Sequence, residues 1–428
     1  MAINFYQGNS DYFSIHQTGT DDKLEIIKNR ISEFFNMKNV HFLFGSGTSC
    51  PAIPNMKDLF DKVKKAIDTK VDSGNKEIKI DNEISVSEKE RKEFDEIASK
   101  SQNNLEEILG VLYSKREYLR GSIENIEDSE DYKDCDSIIS LVEETIFREI
   151  NVFSSNNNET TEKNLKDVLS IYKKFYQMIA LRNKDLSRIN VFTTNNDLFN
   201  ETALDSLNIH YINGFNGGIS KYFNPAMFNY TYSKRMDTSI DRFEPVENMV
   251  YLYKIHGSIN WIEDINNANS YFDIKETTCP NYDKEKSILI YPTPMKQNKS
   301  LGSPYSDLFR EFQHKLLEPN SVLFVIGYSF SDEHVNDIIY RALATNTTFN
   351  LVIINEINKE KAICKVNDNR VFRIWEDGTE KPLHYFERIV KDLLPNLDAS
   401  KQKDILTEFV MQIKGEKQKL TPRNNENR

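Results

Sequence analysis

Five apolar runs, each closed by small or polar residues, constrain this chain more than any other feature. Val40–Phe44 (VHFLF) ends at Gly45, and Arg188–Thr194 (RINVFTT) runs into Asn195, Asn196 and Asp197. Met249–Ile255 (MVYLYKI) meets His256-Gly257-Ser258, Ser321–Ile326 (SVLFVI) meets Gly327-Tyr328-Ser329, and Phe349–Ile354 (FNLVII) meets Asn355-Glu356. A sixth run, Ser287–Tyr291 (SILIY), is of the same kind. Apolar stretches of this length without polar alternation suit strands covered on both faces by helices. The fold class expected is therefore α/β, a Rossmann-like, mostly parallel sheet. The polar residues then collect at the carboxyl ends of the strands, the edge where such sheets bind ligands.

Between the first and second runs the pattern changes. Leu105, Ile108, Leu109, Leu112 and Tyr113 recur at helical spacing. So do Ile138, Ile139, Val142, Ile146 and Ile150, and again Leu165, Val168, Leu169, Tyr172, Phe175 and Ile179. Spacings of three and four predict amphipathic helices. The Lys-, Glu- and Asp-rich stretch from Lys70 to Lys100 predicts a solvated helix or loop that supplies little core. The expected organisation is a discontinuous sheet domain over 1–67 and 187–400, a helical insertion over 68–186, and a final helix (Ile405–Ile413) with a flexible tail within 401–428. Helix starts are predicted at Asp21–Asp22 and near Pro54–Asn55, and an irregular excursion at Asn208–Tyr232.

Composition removes several function classes. A net charge of −11 argues against a general or sequence-specific nucleic-acid binder, because neutralising phosphates needs a basic surface. The four cysteines, Cys50, Cys135, Cys279 and Cys364, form no CxxC pair. A structural zinc needs four clustered ligands, so packed, reduced thiols and no metal are expected. The N-terminus has no basic stretch followed by an apolar one, and no run approaches the ~18 apolar residues of a membrane span. A cytoplasmic protein without a membrane anchor is the expectation.

The motifs carry complementary chemistry. In Gly45-Ser46-Gly47-Thr48-Ser49, glycines without side-chain bulk let backbone N–H groups approach an anionic pyrophosphate. A tight strand-to-helix turn with no ligand fits the same residues, and the third glycine of the dinucleotide fingerprint is missing, with Cys50 in its place. Asn195 suits a ribose hydroxyl or a held water, and Asp197 suits an amide NH₂. Taken alone, that stretch is more simply a helix cap. His256 is placed to take a proton at neutral pH. His334, in Gly327–His334 (GYSFSDEH), follows another strand; there Ser331 or Asp332 as a helix cap is the plainer reading. Gly327–Ser331 lacks the second glycine of a nucleophile elbow, and no Walker motif or short-spaced His–carboxylate set is found.

Taken in order, GSGTS (Gly45–Ser49) with Ile53-Pro54, TTNND (Thr193–Asp197), HGS (His256–Ser258), GYS (Gly327–Ser329) and IINE (Ile353–Glu356) resemble the motifs of the sirtuin superfamily. The resemblance implies that Gly45, Ser46 and Gly47, with Thr48, Ser49 and Pro54, hold the pyrophosphate of NAD+. It implies that Asn195 orders the ribose or the attacking water, that Asp197 meets the carboxamide and that His256 acts as general base. Gly327, Tyr328, Ser329, Asn355 and Glu356 would meet the phosphate and the adenosine ribose. Two departures matter: the zinc-binding CxxC pairs of the deacetylases are absent, and Pro54 leads into Asn55-Met56-Lys57 rather than Asp-Phe-Arg. With its long helical insertion the chain is similar to the sirtuin-like NADases of bacterial anti-phage defence, which cleave the nicotinamide–ribose bond with water and deplete host NAD. About seventy residues follow Glu356, fewer than the ~100 of a typical domain, which brings the compact form partnered with a HerA-type translocase ATPase nearest. A homo-oligomer is expected, since a freely active NADase would poison its own cell. An NAD-dependent protein deacylase and a non-catalytic NAD- or ADP-ribose-binding assembly subunit are the alternatives.

Overall fold

The apolar runs become the middle of a sheet. The computed structural model describes residues 2–16, 22–74, 86–122, 129–154, 159–180, 182, 186–235, 242–246, 248–264, 273–283, 287–289 and 303–394. In chain order the strands are β1 (Ala2–Gln7), β2 (Ser10–Asp11), β3 (Asn39–Phe44), β4 (Ile189–Thr193), β5 (His210–Ile212), β6 (Phe215–Asn216), β7 (Lys221–Phe223), β8 (Ser233–Arg235) and β9 (Phe243–Pro245). They continue with β10 (Met249–Lys254), β11 (Gly257–Glu263), β12 (Ile274–Glu276), β13 (Ser287–Leu289), β14 (Ser321–Ile326), β15 (Asn350–Ile354) and β16 (Val371–Asp377).

Nine of them form one sheet in the order β2-β1-β16-β15-β14-β3-β4-β10-β5. From β16 to β5 every neighbour is parallel, while β1 joins β16 antiparallel. This is the α/β, mostly parallel Rossmann-like architecture. From β3 the chain next enters β4 on one side, and β14, β15 and β16 build the other. The order therefore reverses beside β3, and such a switch point opens a crevice at the carboxyl ends.

Strand residues alternate between two cores, as a period of two requires. Val40, Phe42 and Phe44 face one core, with Val322, Phe324 and Ile326 beside them. Leu43, Leu323 and Val325 face the other. Each buried Phe or Leu contributes about 1.5–3 kcal/mol. After the single turn α1 (Tyr12–Ile15), helices α2 (Lys23–Phe35) and α7 (Glu159–Ile179) cover the first face, the Phe175 ring of α7 meeting Phe42 at 5.0 Å. Asp22 caps α2, accepting from Leu24 N–H at 2.9 Å, as its sequence context predicts.

Helices α3 (Met56–Gly74), α4 (Glu88–Lys100), α5 (Leu105–Ser122) and α6 (Glu130–Ile150) pack into a third core of their own. As packing units, this differs from an insertion drawn over 68–186. Leu59, Phe60 and Val63 of α3 already belong to the helical core, whereas Val168, Tyr172 and Phe175 of α7 belong to the sheet. Nor is the charged stretch before Lys100 free of core: α4 opens on a capping box of Ser87 and Glu90 and buries Phe94 and Ala98.

Three further expectations are revised. Part of the stretch 208–232 is regular, since β6 and β7 join β11, β12 and β13 in a five-stranded sheet. The run SILIY supplies β13 to that second sheet instead of entering the first. Cys135 is packed, but Cys50 and Cys279 are exposed, against the expectation of packed thiols. The helix expected at Ile405–Ile413 and the tail lie outside the described residues. Among the described residues no helix is long and apolar enough to cross a membrane.

Candidate active site

The parallel register brings the ends of β3, β4, β10 and β14 to one edge: Phe44 stands level with Thr193 and Ile326, and Thr193 with Lys254. The segments that follow them meet there. A short 3-10 turn, Ser46–Thr48, leaves β3 and lies against Gly327 at the end of β14. A Cβ on Gly45 would sit 2.5 Å from the Gly327 carbonyl oxygen, and one on Gly47 would sit 2.8 Å from the Gly327 Cα. Gly327 itself has φ +65°, a conformation that L side chains rarely adopt. The glycines of both motifs are thus needed for two loops to touch.

This contact uses the backbone donors that the sequence reserves for a pyrophosphate. Gly45 N–H donates to Ile326, Gly47 N–H to Gly327, Thr48 N–H to Gly45 and Ser49 N–H to Ser46, at 3.0–3.2 Å. None of these bonds uses the N–H of Ser46, which is exposed. The helix after the loop starts with Asn55 as its cap, the Oδ1 accepting from Lys57 and Asp58 N–H at 3.0 Å each.

Asn195 ties this loop to β4. Its Nδ2 lies 3.0 Å from the Gly45 carbonyl, 3.1 Å from Thr48 Oγ1 and 3.0 Å from Ser49 Oγ. A carbonyl only accepts, so the amide nitrogen is the end turned inward, and Oδ1 is the end left for a ligand. The same logic orients the rest. Thr48 Oγ1 donates to Gly45 O at 2.9 Å, so the buried Tyr172 hydroxyl, 2.7 Å away, donates to Thr48. Ser49 Oγ donates onward to Asp197 Oδ2 at 2.6 Å. The result is a satisfied buried polar network, the kind that rigidifies a site.

Asp197 is engaged at both oxygens, since Oδ1 accepts from Phe199 N–H at 3.0 Å. Burial raises its pKa above the usual carboxylate value, opposed by the Lys254 cation and by the Ser49 and Phe199 bonds. The bland reading of TTNND as a helix cap is revised: the helix that follows starts after Leu198 with no side-chain cap bond, and Asp197 closes a turn one residue earlier. Lys254, itself buried, donates to the Asp197 carbonyl and lies 3.0 Å from Glu201. Burial likewise raises the Glu201 pKa, with Lys254 pulling it back.

His256 is also buried, at 7% exposure, yet it lines the cleft. Asn196 holds its backbone by donating to the carbonyls of His256 at 2.7 Å and Gly257 at 3.2 Å. The ring Nε2 lies 3.1 Å from Asp332 Oδ2, within ion-pair distance. Asp332 also caps helix α10 (Glu333–Thr345; α8 is Phe199–Ser206 and α9 is Tyr305–Leu317), the role its sequence context suggests. His334 stands edge-on to Phe309 at 4.3 Å, which in turn faces His256 at 6.3 Å.

The cleft so formed encloses about 230 Å³. Ser46, Ser49, Pro54, Asn195, Asp197, His256, Gly327, Tyr328 and Ser329 line it, nine of the predicted site residues. Gly45, Gly47, Thr48, Asn355 and Glu356 do not. The first two are spent on the contact with Gly327, Thr48 turns in to Tyr172, and Asn355 donates to the Tyr328 carbonyl at 3.0 Å. Glu356 is mostly exposed beside His384, 4.0 Å away.

Another part of the wall comes from the helical unit, through residues that the sequence does not single out as site residues: Leu59 of α3, Glu106 of α5, and Ile146 and Ile150 of α6. Helical periodicity marks those residues as apolar-face or solvent-face without saying what they meet. Asn196, Tyr172 and Asp332 were also missed as site residues. Lys254 had a signal, because a lysine inside the run MVYLYKI has to be paired if the strand is buried. Among the described residues no Lys or Arg lines the cleft, whereas Asp197, Asp332 and Glu106 do.

Residues 189–369 match the family described as a SIR2-like domain. The match starts at the first residue of β4 and takes in TTNND, HGS, GYS and Asn355-Glu356; the Gly45–Ser49 loop and the helical unit lie outside it. No curated protein matches the chain.

Proposed function

We propose, on the premise that a chain matching a SIR2-like domain uses NAD+, that this protein is an NAD glycohydrolase: it hydrolyses the nicotinamide–ribose bond to give nicotinamide and ADP-ribose. One observation carries this reading. Asn195, with its carbonyl oxygen turned away from the protein network, and His256 line one cleft at the switch point of the sheet.

The chemistry asks little more. Nicotinamide leaves NAD+ as a neutral amine, so departure needs no general acid. The C–N bond breaks with its electron pair going to the pyridine nitrogen, and positive charge grows on the ribose. Asn195 Oδ1 orders the ribose or the incoming water. Water forms the new C–O bond, and His256 takes its proton. The carboxylates of Asp197, Asp332 and Glu106, with no lysine or arginine among the described lining residues, favour the cationic end of the substrate and the charge that develops on it. At about 230 Å³ the cleft is smaller than the roughly 300–1,000 Å³ pockets that enclose whole ligands. It takes the nicotinamide riboside end, and the remainder of the dinucleotide follows the open side past Gly327–Ser329. Hydrolysis is preferred over acyl transfer because the chain has no CxxC pair to build the deacylases' zinc module.

In the cell the same reading makes the protein a cytoplasmic anti-phage effector that depletes host NAD, restrained in a homo-oligomer and partnered with a HerA-type ATPase. Its support is the resemblance of the ordered motifs and the helical insertion. The experiment is to incubate the full chain with NAD+, alone and with the ATPase, and to follow nicotinamide by chromatography. Equimolar nicotinamide and ADP-ribose support it. Release only with an acylated peptide points to the deacylase, and tight binding without turnover points to a binding subunit.

A further inference from the structure

We propose that Asp332 is a positioning residue for His256, which it sets in one tautomer because its own carboxylate is clamped by helix α10. This rests on the reading of His256 as the base. Asp332 Oδ1 accepts from the N–H groups of His334 at 3.0 Å and Val335 at 3.2 Å, as the N-cap of the helix. That anchors Oδ1 and leaves Oδ2 3.1 Å from His256 Nε2, with the two side chains 8% and 9% exposed.

A carboxylate only accepts, so the nitrogen facing it carries the proton, and the lone pair that can take a proton from water is on Nδ1. The His256 backbone is held by Asn196, which donates to its carbonyl at 2.7 Å, and the ring stands 6.3 Å from that of Phe309 in α9.

Among the described residues, the charged and titratable neighbours come from three elements. Helix α10 presents Asp332 and His334, the β4–α8 turn presents Asp197, and Glu106 of α5 lines the same cleft. Lys254, two residues upstream, is committed to Glu201 and to the carbonyls of Asn196 and Asp197. Asp332 is thus both the last link of the helix cap and the first support of the imidazole. A sequence reading finds only the cap.

The test uses the full chain with Asp332→Asn and Asp332→Ser. Both replacements are strong N-caps, so a residue that is only a cap tolerates them. His256→Ala assigns the His256 signals in ¹⁵N-histidine-labelled protein. Long-range ¹H–¹⁵N spectra should show Nε2–H in the parent and Nδ1–H in Asp332→Asn, where the side-chain NH₂ turns to the ring. The titration midpoint of His256 should fall in both variants, since each loses a negative charge beside the imidazolium. Nicotinamide release should drop in kcat by about 100-fold or more, as reversing a tautomer does elsewhere, with KM nearly unchanged and the thermal midpoint kept. An unchanged tautomer and midpoint, or full kcat in both variants, overturns the proposal. If the parent releases no nicotinamide, the proposed reaction fails, while the ring spectra still decide whether Asp332 sets the tautomer.

Discussion

Lys254 and Glu201 form a buried ion pair behind the TTNND turn, Nζ 3.0 Å from the carboxylate with the side chains 1% and 9% exposed. Lys254 also donates to the carbonyl of Asp197, so one ammonium joins β10, α8 and the turn that carries Asn195. Removing one partner of such a pair leaves a buried charge and typically costs about 3–5 kcal/mol. Lys254→Met should lose that much in urea unfolding, and Lys254→Met/Glu201→Leu should recover part of it. A single variant within ~0.5 kcal/mol of the parent would show that the pair does not organise the turn.

Gly327→Ala places a Cβ 2.7 Å from the Thr48 nitrogen at φ +65°. Both the clash and the backbone conformation oppose it, at about 1–3 kcal/mol each. The variant should unfold at lower temperature, and whatever folds should bind NAD+ more weakly because the β3 loop is displaced. Parent-like melting and affinity would remove the interlocked glycines from the account.

His41 gives a pH signature. It is fully buried in β3, beside Asn190, and burial, with the Lys315 charge adding, lowers its pKa to about 3. Between the unfolded value near ~6.5 and the folded one, the unfolded chain binds a proton that the folded chain refuses. Stability therefore falls as pH drops through that window, by about 1.4 kcal/mol per unit from this group. His41→Leu should show a shallower loss over the same range. Identical slopes in parent and variant would contradict a neutral buried imidazole.

These relationships differ in how far the residues announce them. The central strands β3, β4, β10, β14 and β15 are legible because burial on both faces writes itself as an unbroken apolar run. Helix starts at Asp22 and Asn55 are legible because capping is local chemistry. The second sheet is not, since β6, β7 and β12 are two or three residues long and too short to show a period. Nor is the allegiance of α7. Its periodicity gives an apolar face, but only the fold says that Tyr172 and Phe175 meet Phe44 at 6.1 and 5.1 Å instead of joining α6. The candidate site divides likewise. Asn195 and His256 follow strands and could be named; the inward turn of the Asn195 amide and the second contact of Asp332 depend on neighbours more than sixty residues away.

Tyr172→Phe tests the network under the β3 loop. It removes the donor to Thr48 Oγ1, which keeps its bond to Gly45. The expected cost is about 1 kcal/mol of stability, with a rise in KM for NAD+ and little change in kcat, because Tyr172 supports the loop without reaching the cleft. A loss confined to kcat would give Tyr172 a different part.

The central claim is that Asn195 and His256 act on the same glycosidic carbon, and nicotinamide release measured beside NAD+ binding tests it most directly. With the full chain, its partner ATPase present if needed, Asn195→Ala and His256→Ala should each bind NAD+ by calorimetry yet release nicotinamide at least ~100-fold more slowly than the parent. Release at the parental rate by both folded variants would contradict the account.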